Sequence, residues 1–207
     1  MAQDLHFMGI DEAGRGPVLG PMVVAGVAMT QSSCERFKEM GLKDSKKLSP
    51  QKRKTMFDLI QDEAEWIRTI VVWPGEIDAA VRTNGLNRLE RDVFAEIINS
   101  YDGTGRIIID SPQAPKVFTS MINEKLVSVR DILCSFKADD IYPVVSAASV
   151  VAKFTRDSII EELKAEYGDF GSGYPSDPKT RAFLSEIKDA PFFVRKSWKT
   201  YSDLSFF

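Results

Sequence analysis

Short apolar runs bounded by turn residues alternate along this chain with segments whose apolar residues recur every three or four positions. That alternation restricts the fold more than any composition count does. Leu5 to Ile10 reads as a buried strand running into a loop at Gly14, and Met22 to Met29 as a second strand, an opening hairpin. Ser49-Pro50, a cap followed by proline, starts a helix to about Glu63 with Met56, Leu59 and Ile60 on its apolar face. Trp66 to Trp73 is a third strand, closed by Pro74-Gly75. Asn84 to Tyr101 is helical, with Leu86, Leu89, Val93, Phe94, Ile97 and Ile98 at helical spacing. Arg106 to Ile109 is a strand ending at Asp110, where Ser111-Pro112 stops it. Pro115 to Leu126 reads as a helix and Val127 to Leu133 as a fifth strand. Val144, Ala148, Val151, Ala152, Ile159 and Leu163 line one face of a long helix ending near Gly168, and Asp177-Pro178 opens another, to about Lys188. The pattern predicts a mixed α/β sheet with helices on its faces over residues 1–168. Residues 169–207 form a helical and loop part, without a new strand, that leans on the sheet.

Composition narrows the chemistry. The chain has 207 residues, the size of one large domain, and 43% hydrophobic with 28% charged residues excludes a disordered polymer. Two cysteines, Cys34 and Cys134, make neither a disulfide framework nor a four-cysteine zinc site, so a reducing, cytoplasmic setting is expected. Residues 1–5 lack the pattern of a secretion signal, and no apolar run nears the roughly 20 residues a membrane span needs. The one histidine, His6, sits in or beside the first strand and reads as packed, leaving almost no material for histidine-based catalysis or imidazole metal sites. Trp66, Trp73 and most phenylalanines read as core. A net charge of −3 advertises no bulk basic field, yet a basic groove can sit on an acidic protein.

The informative pattern is where the acids fall. Asp11 and Glu12 follow the first strand, Asp110 ends the fourth, and Asp139 with Asp140 precedes the long helix. In open α/β sheets chemistry gathers at strand ends, so three segments aim carboxylates at one sheet edge. Neighbouring strand residues point to opposite faces, so Asp11 and Glu12 share a site only if the chain bends there, which Gly14 and Gly16 permit. Carboxylates a few ångströms apart repel unless protonated or neutralised. Hard divalent ions with oxygen ligands, Mg²⁺ or Mn²⁺, are the usual partners, two of them in phosphoryl transfer. The competing reading is that these acids are solvated strand-end and cap residues.

Gly14-Arg15-Gly16-Pro17 has three readings. As a dinucleotide fingerprint it fails, because the third glycine, Gly20, comes one residue late and a strand follows. A loop that brings bare backbone groups to a ligand fits better, since glycine lacks the Cβ that blocks approach. The third reading is a plain tight turn.

Gly9-Ile10-Asp11-Glu12-Ala13-Gly14-Arg15-Gly16-Pro17 resembles the opening motif of type 2 ribonuclease H, ribonuclease HII. The likeness recurs in order. Asp44-Ser45-Lys46-Lys47-Leu48 matches the family's lysine motif, and Ile109-Asp110 its second acidic strand end. Lys137-Ala138-Asp139, then Tyr142 to Ser149 and Ala152-Lys153, match its helix entry. Gly171-Ser172-Gly173-Tyr174-Pro175-Ser176-Asp177-Pro178 matches the tyrosine loop in the form of archaeal-type single-chain members, and Ser197-Trp198 fits as well. The resemblance implies a ribonuclease H-like mixed five-stranded sheet flanked by helices, with a small helical C-terminal appendage. It implies an endoribonuclease that hydrolyses the RNA strand of RNA–DNA hybrids and cuts 5′ of single ribonucleotides embedded in duplex DNA. It also implies two-metal catalysis with Mg²⁺ or Mn²⁺ and metal ligands Asp11, Glu12, Asp110 and Asp139. Gly14, Arg15, Gly16 and Tyr174 are implied as the reader of a ribonucleotide followed by DNA. Backbone groups can bond the 2′-hydroxyl, and a tyrosine ring can pack on the next sugar; on its own Tyr174 would read as loop packing. Asp140 reads as a solvated helix-start acid; Asp157 resembles a further acid of the family helix, against which stands its reading as part of a solvated helical face. Another two-metal nuclease on the same fold and a silent hybrid-binding module are the rivals; the tyrosine and glycine loops argue against the first, the complete acids against the second.

Basic residues cluster in two places. Lys43 to Lys54 holds six against one acid and Lys179 to Lys199 six against two, so both are candidates for phosphate contacts. Lys52, Arg53 and Lys54 lie inside a predicted helix and read as a solvated face, whereas Lys46 and Lys47 precede the cap and can reach a backbone phosphate. The segment Tyr201 to Phe207 is compared with the clamp-docking peptide of some archaeal-type members. Thr200 stands where glutamine would be and the aliphatic is one residue out of register, so a sliding-clamp partner competes with a tail folded on the body. A monomer without membrane contact is the default. Replacing Lys46 or Lys47 by alanine should weaken binding to every duplex sequence and reduce the salt slope of the affinity by about one unit; a salt titration of binding checks it.

Overall fold

The computed structural model describes residues 5–42 and 48–204. Lys46 and Lys47, like Ser205 to Phe207 of the tail, lie outside the described residues. Five strands, β1 (His6–Ala13), β2 (Met22–Thr30), β3 (Trp66–Val72), β4 (Arg106–Asp110) and β5 (Ile132–Ser135), form one sheet in the order β3-β2-β1-β4-β5. The β1–β2 and β2–β3 pairs are antiparallel, and β1–β4 and β4–β5 are parallel. The mixed sheet expected from the sequence is present.

Both faces of the sheet are covered, and strand alternation decides which residue goes where. Val23, Ala25, Val27 and Met29 of β2 join a core built with α1 (Gln31–Glu39), α2 (Pro50–Glu63) and α7 (Pro143–Tyr167). Met22, Val24 and Ala28 join the opposite core, with α3 (Pro74–Val81), α4 (Leu86–Asn99) and α5 (Pro115–Asn123). A third apolar cluster ties Val18, Leu19 and the far end of α7 to α8 (Pro178–Glu186) and to Phe193 and Val194. Leu19 also bridges Val194, so the segment beyond 169 is pinned to the chain just after β1. The last element is α9 (Lys199–Leu204). Among the described residues no helix is long and apolar enough to cross a membrane.

Several local expectations shift. The fifth strand runs Ile132–Ser135, not Val127 to Leu133. Val127 and Val129 alternate with polar residues as a strand would, but they are 82% and 101% exposed because the parallel register sets Ile132 opposite Ile107 and leaves 127–131 without a partner strand. Arg130 closes that loop through the Tyr101 and Gly103 carbonyls. β3 ends at Val72, ahead of Pro74 as expected, and Pro74 is also the first residue of α3, where its missing N–H is harmless. α1 carries too few apolar residues to show in the periodicity, and Thr30 caps it by accepting from the Ser33 amide at 3.2 Å. The long helix is preceded by a single turn, α6 (Ala138–Ile141).

β1 continues to Ala13, pairing Asp11 with Ala25 and Glu12 with Val24, so no bend separates the two acids and the chain turns only at Gly14. Near the start of the strand α7 presses its first turn on the sheet. A Cβ at Gly9 would collide with the Val144 carbonyl and the Val145 amide. Gly9→Ala should therefore destabilise the fold by about 3 kcal/mol, the upper end for overpacking, and lower Tm by roughly 10 °C for a chain of this size; a thermal melt reads this directly.

Candidate active site

Three aspartates from three segments converge at the C-terminal edge of the central strands. One carboxylate oxygen each of Asp11, Asp110 and Asp139 lies within 4.8 Å of the others. Asp11 and Asp110 meet because β1 and β4 pair in parallel with Ile10 opposite Ile109, one residue before each acid. Asp139 is delivered by the turn after β5. Lys137 there adopts the left-handed conformation (φ 53°), the Ala138 amide donates to Asp110 Oδ1 at 3.1 Å, and Ser146 Oγ bonds the Asp139 carbonyl. Asp140 is half-buried on the same turn and is not one of the three.

The electrostatics of the trio are unfavourable as they stand. Asp11, 5% exposed, has its pKa pushed up to about 7, first by burial and then by the charges of Asp110 and Asp139. The Ser149 hydroxyl and the Lys153 ammonium act in the opposite direction. These two residues stand one turn apart on α7, with Lys153 Nζ donating to Ser149 Oγ at 2.6 Å. An all-oxygen donor set this compact matches what a hard divalent cation takes as ligands, so the residues present fit such an ion.

Glu12 points to the other side of β1, as alternation requires. Its pKa is held well above the usual carboxylate range by burial, then by Asp11, Glu90 and Asp110, with Arg15 offsetting. Its Oε2 is buried without a partner among the described residues. It lines an open groove with the glycine loop, Arg53, Lys153, Arg156, Asp157 and Tyr174.

The glycine loop is built around a buried cation. Arg195, 0% exposed, donates to the carbonyls of Arg15 (2.8 Å), Gly14 (2.5 Å) and Gly20 (3.0 and 3.1 Å). Trp198 lies under its guanidinium, 4.9 Å to the ring centre, and donates its indole N–H to the Gly16 carbonyl at 3.0 Å. Burial, and then Arg156, pulls Arg195 down to about 9, so it remains charged at neutral pH. All three loop carbonyls are thus taken, while the Arg15 and Gly16 amides donate to no described residue. Gly14 needs to be glycine twice over: its φ is +82°, and a Cβ would strike the Arg156 side chain. Tyr174, 44% exposed, stands over Arg156 at 5.9 Å and beside Gly16. Its loop is hung on the same segment, since the Val18 and Leu19 amides both donate to the Gly173 carbonyl.

Two expectations about basic residues are corrected. Arg53 is not a solvated helix-face residue; its side chain, 17% exposed, turns inward to pair with Asp157 and to reach the Leu48 carbonyl. Asp157 is accordingly part of a groove ion pair and not of a free face. Arg195, counted within a basic run, touches the loop backbone and is sealed from solvent. The Ser149–Lys153 pair also escaped the reading, although i,i+4 spacing put both on the helix face opposite Asp11.

The ribonuclease HII family model matches residues 8–201. The chain belongs to the ribonuclease HII family. The ribonuclease HII of Thermococcus onnurineus is 44% identical over 202 residues, covering 95% of this chain and 88% of its own. The crystal structure of the ribonuclease H2 from Pyrococcus horikoshii has a TM-score of 0.90 at 40% identity, with 97% of each chain covered. The structure of the PCNA:RNase HII complex from Archaeoglobus fulgidus gives 0.87 at 39%, covering 96% of each chain. Membership makes the chain a metal-dependent endoribonuclease of RNA–DNA hybrids, and the compact aspartate trio is consistent with that dependence.

Repulsion within the trio gives a test that needs no substrate. In chelator at neutral pH, Asp110→Asn should melt about 2–4 °C above wild type, the shift of roughly 1 kcal/mol in a chain of this size. It keeps the Oδ1 that accepts from Ala138 and removes one of three like charges. Added Mg²⁺ should raise the Tm of wild type and leave the variant unmoved, and the variant should bind hybrid without cutting it.

Proposed function

We propose that the chain cuts 5′ of single ribonucleotides embedded in duplex DNA as well as the RNA strand of hybrids, leaving 3′-hydroxyl and 5′-phosphate ends. The observation that carries this reading is the adjacency of two features on one strand end. Asp11 of the trio lies near the end of β1, and the Gly14-Arg15-Gly16 loop that follows it lines a groove shared with Tyr174.

In this reading Asp11, Asp110 and Asp139 hold two divalent cations, Mg²⁺ or Mn²⁺, and Glu12, on the other side of β1 yet close enough to feel the charges of Asp11 and Asp110, completes the set from the groove side. The chemistry such ions supply when bound is activation of a water and stabilisation of the leaving oxygen in phosphoryl transfer. The amides of Arg15 and Gly16 are the donors for a 2′-hydroxyl, the group that separates RNA from DNA. Lys153 lines the groove within range of Asp11, placed to meet a phosphate as it enters. The Tyr174 ring packs on the sugar 3′ to the ribonucleotide, where a missing hydroxyl leaves room. Residues 1–168 carry the acids and 169–207 complete the reader, so the two act as one unit. The A. fulgidus relative was solved with PCNA, and we carry a sliding clamp over as a partner for the segment 201–207.

A duplex with one ribonucleotide, incubated with and without Mg²⁺, tests the activity: a single nick 5′ of the ribonucleotide only with the metal is expected. Tyr174→Ala should lower kcat/KM on that duplex more than on a continuous hybrid. Lost stacking on nucleic acid amounts to about 1–3 kcal/mol, or roughly five- to 150-fold in rate. An equal loss on both substrates would remove Tyr174 from the role of junction reader.

A further inference from the structure

Behind the glycine loop runs a chain of polar contacts that the proposed chemistry does not use. Glu90, on the inner face of α4, is 0% exposed. Its Oε1 accepts from Arg15 Nε at 2.6 Å, while Oε2 has no partner among the described residues. A buried carboxylate with one cation for a partner is seldom a gain in stability over an apolar residue of the same size. Packing of α4 therefore does not account for it.

The other arm of Arg15 donates to Asn87 Oδ1 at 2.8 Å, one turn earlier on the same helix. Asn87 Nδ2 donates in turn to Gln113 Oε1 at 2.7 Å, and the Gln113 carbonyl accepts from Ser111 Oγ at 2.7 Å. Ser111 directly follows Asp110. Arg15 is thus gripped at both ends, its carbonyl by Arg195 and its guanidinium by Glu90 and Asn87. The grip has two consequences. The guanidinium is held against α4 and is not free to bind phosphate without regard to sugar type. The peptide planes on either side of Arg15 cannot rotate, so the Arg15 and Gly16 amides keep one direction.

We propose that Glu90 and Asn87 are positioning residues for ribonucleotide discrimination, acting through the Arg15 side chain on the direction of the loop amides. The assignment rests on the glycine-loop reading above and adds the device that gives the loop its rigidity. The tie from Asn87 to Gln113 sets the same device in register with the strand end that carries Asp110.

The test compares KM on a duplex with one ribonucleotide against Ki of the same all-DNA duplex as competitor, both in Mg²⁺. Glu90→Gln preserves shape and removes the charge that holds Arg15. It should raise KM about tenfold, the scale of one hydrogen bond to a charged group, with kcat, Ki and the Mg²⁺ half-saturation unchanged. Asn87→Ala should do the same. Asn87→Asp, which keeps the Oδ1 acceptor for Arg15 and loses the donor to Gln113, should raise KM less than Asn87→Ala does, and an equal rise in the two would overturn the role of the Arg15 contact. An equal rise in KM and Ki would overturn the assignment, because the residues would then serve duplex binding in general. A shifted Mg²⁺ half-saturation with KM unchanged would also overturn it, since Glu90 would then be acting on neighbouring Glu12. Equal KM and Ki in the wild type would overturn the glycine-loop reading itself, a failure distinct from both.

Discussion

The parallel register of β1 on β4 governs the rest of this structure. Ile10 opposite Ile109 brings Asp11 and Asp110 to one level at the sheet edge, and the parallel pairing of Ser135 with Asp110 then launches the turn that adds Asp139. A slip of one residue in either pair would send an acid to the opposite face. The register is held by apolar burial on both sides: Met8, Ile10, Ile107 and Ile109 enter one core, Ile108 the other. The folding energy of the sheet is thereby coupled to an unfavourable burial and concentration of charge, and burial first, then the charges of Asp110 and Asp139, raise the pKa of Asp11. A site of this kind is stable as protein only because it is small and the cores beside it are large.

The second organising feature is a buried arginine that makes no ion pair with a carboxylate. Arg195 spends its donors on backbone carbonyls of the glycine loop and of Gly20. Carbonyls are weaker partners than a carboxylate, and burial, followed by the neighbouring charge of Arg156, lowers the pKa of Arg195. What the arrangement gains is shape. A loop of two glycines and an arginine has many conformations, and fixing each carbonyl from below restricts it to one of them. The segment that carries Arg195 is itself anchored by Asp78 of α3, whose carboxylate accepts from the Lys196 and Ser197 amides at 2.9 and 3.0 Å. The C-terminal part therefore belongs to the site mechanically, although it contributes none of the three converging aspartates.

Legibility followed the range of the interaction. Strand ends, caps and helix faces are local, so Asp11, Asp110 and the Ser49-Pro50 and Asp177-Pro178 starts could be read from neighbouring residues. The convergence of Asp139 with the others was inferable because α/β topology sends loops to one edge. β5 was misplaced because Val127 and Val129 carry strand propensity, and only the partner strand decides which residues pair. Arg53 and Arg195 were misjudged for the same reason: a charged residue announces its charge in sequence, but not which carbonyl or carboxylate will meet it. The signal for Arg195 was its place directly after the apolar pair Phe193-Val194, whose burial draws the next residue in with it.

Strand geometry also bears on where the cut would fall. Asp11 lies two residues before the end of β1, and the chain turns at Gly14 directly into Arg15 and Gly16. On the proposed roles the metal-holding carboxylate and the sugar-reading amides are therefore joined by a few residues of strand and a braced turn. Glu12 occupies the interval on the opposite face, next to the groove, so one tripeptide links both functions. An enzyme that read the sugar from a distant loop could slide its cut by a nucleotide as the loop flexed. Here the reader grows directly out of the strand that carries the acid, and it is braced from beneath by Arg195 and from the side by Glu90. The position of cleavage relative to the ribonucleotide is then a property of the sheet, and it should be as invariant as the β1–β4 register that brings the aspartates together.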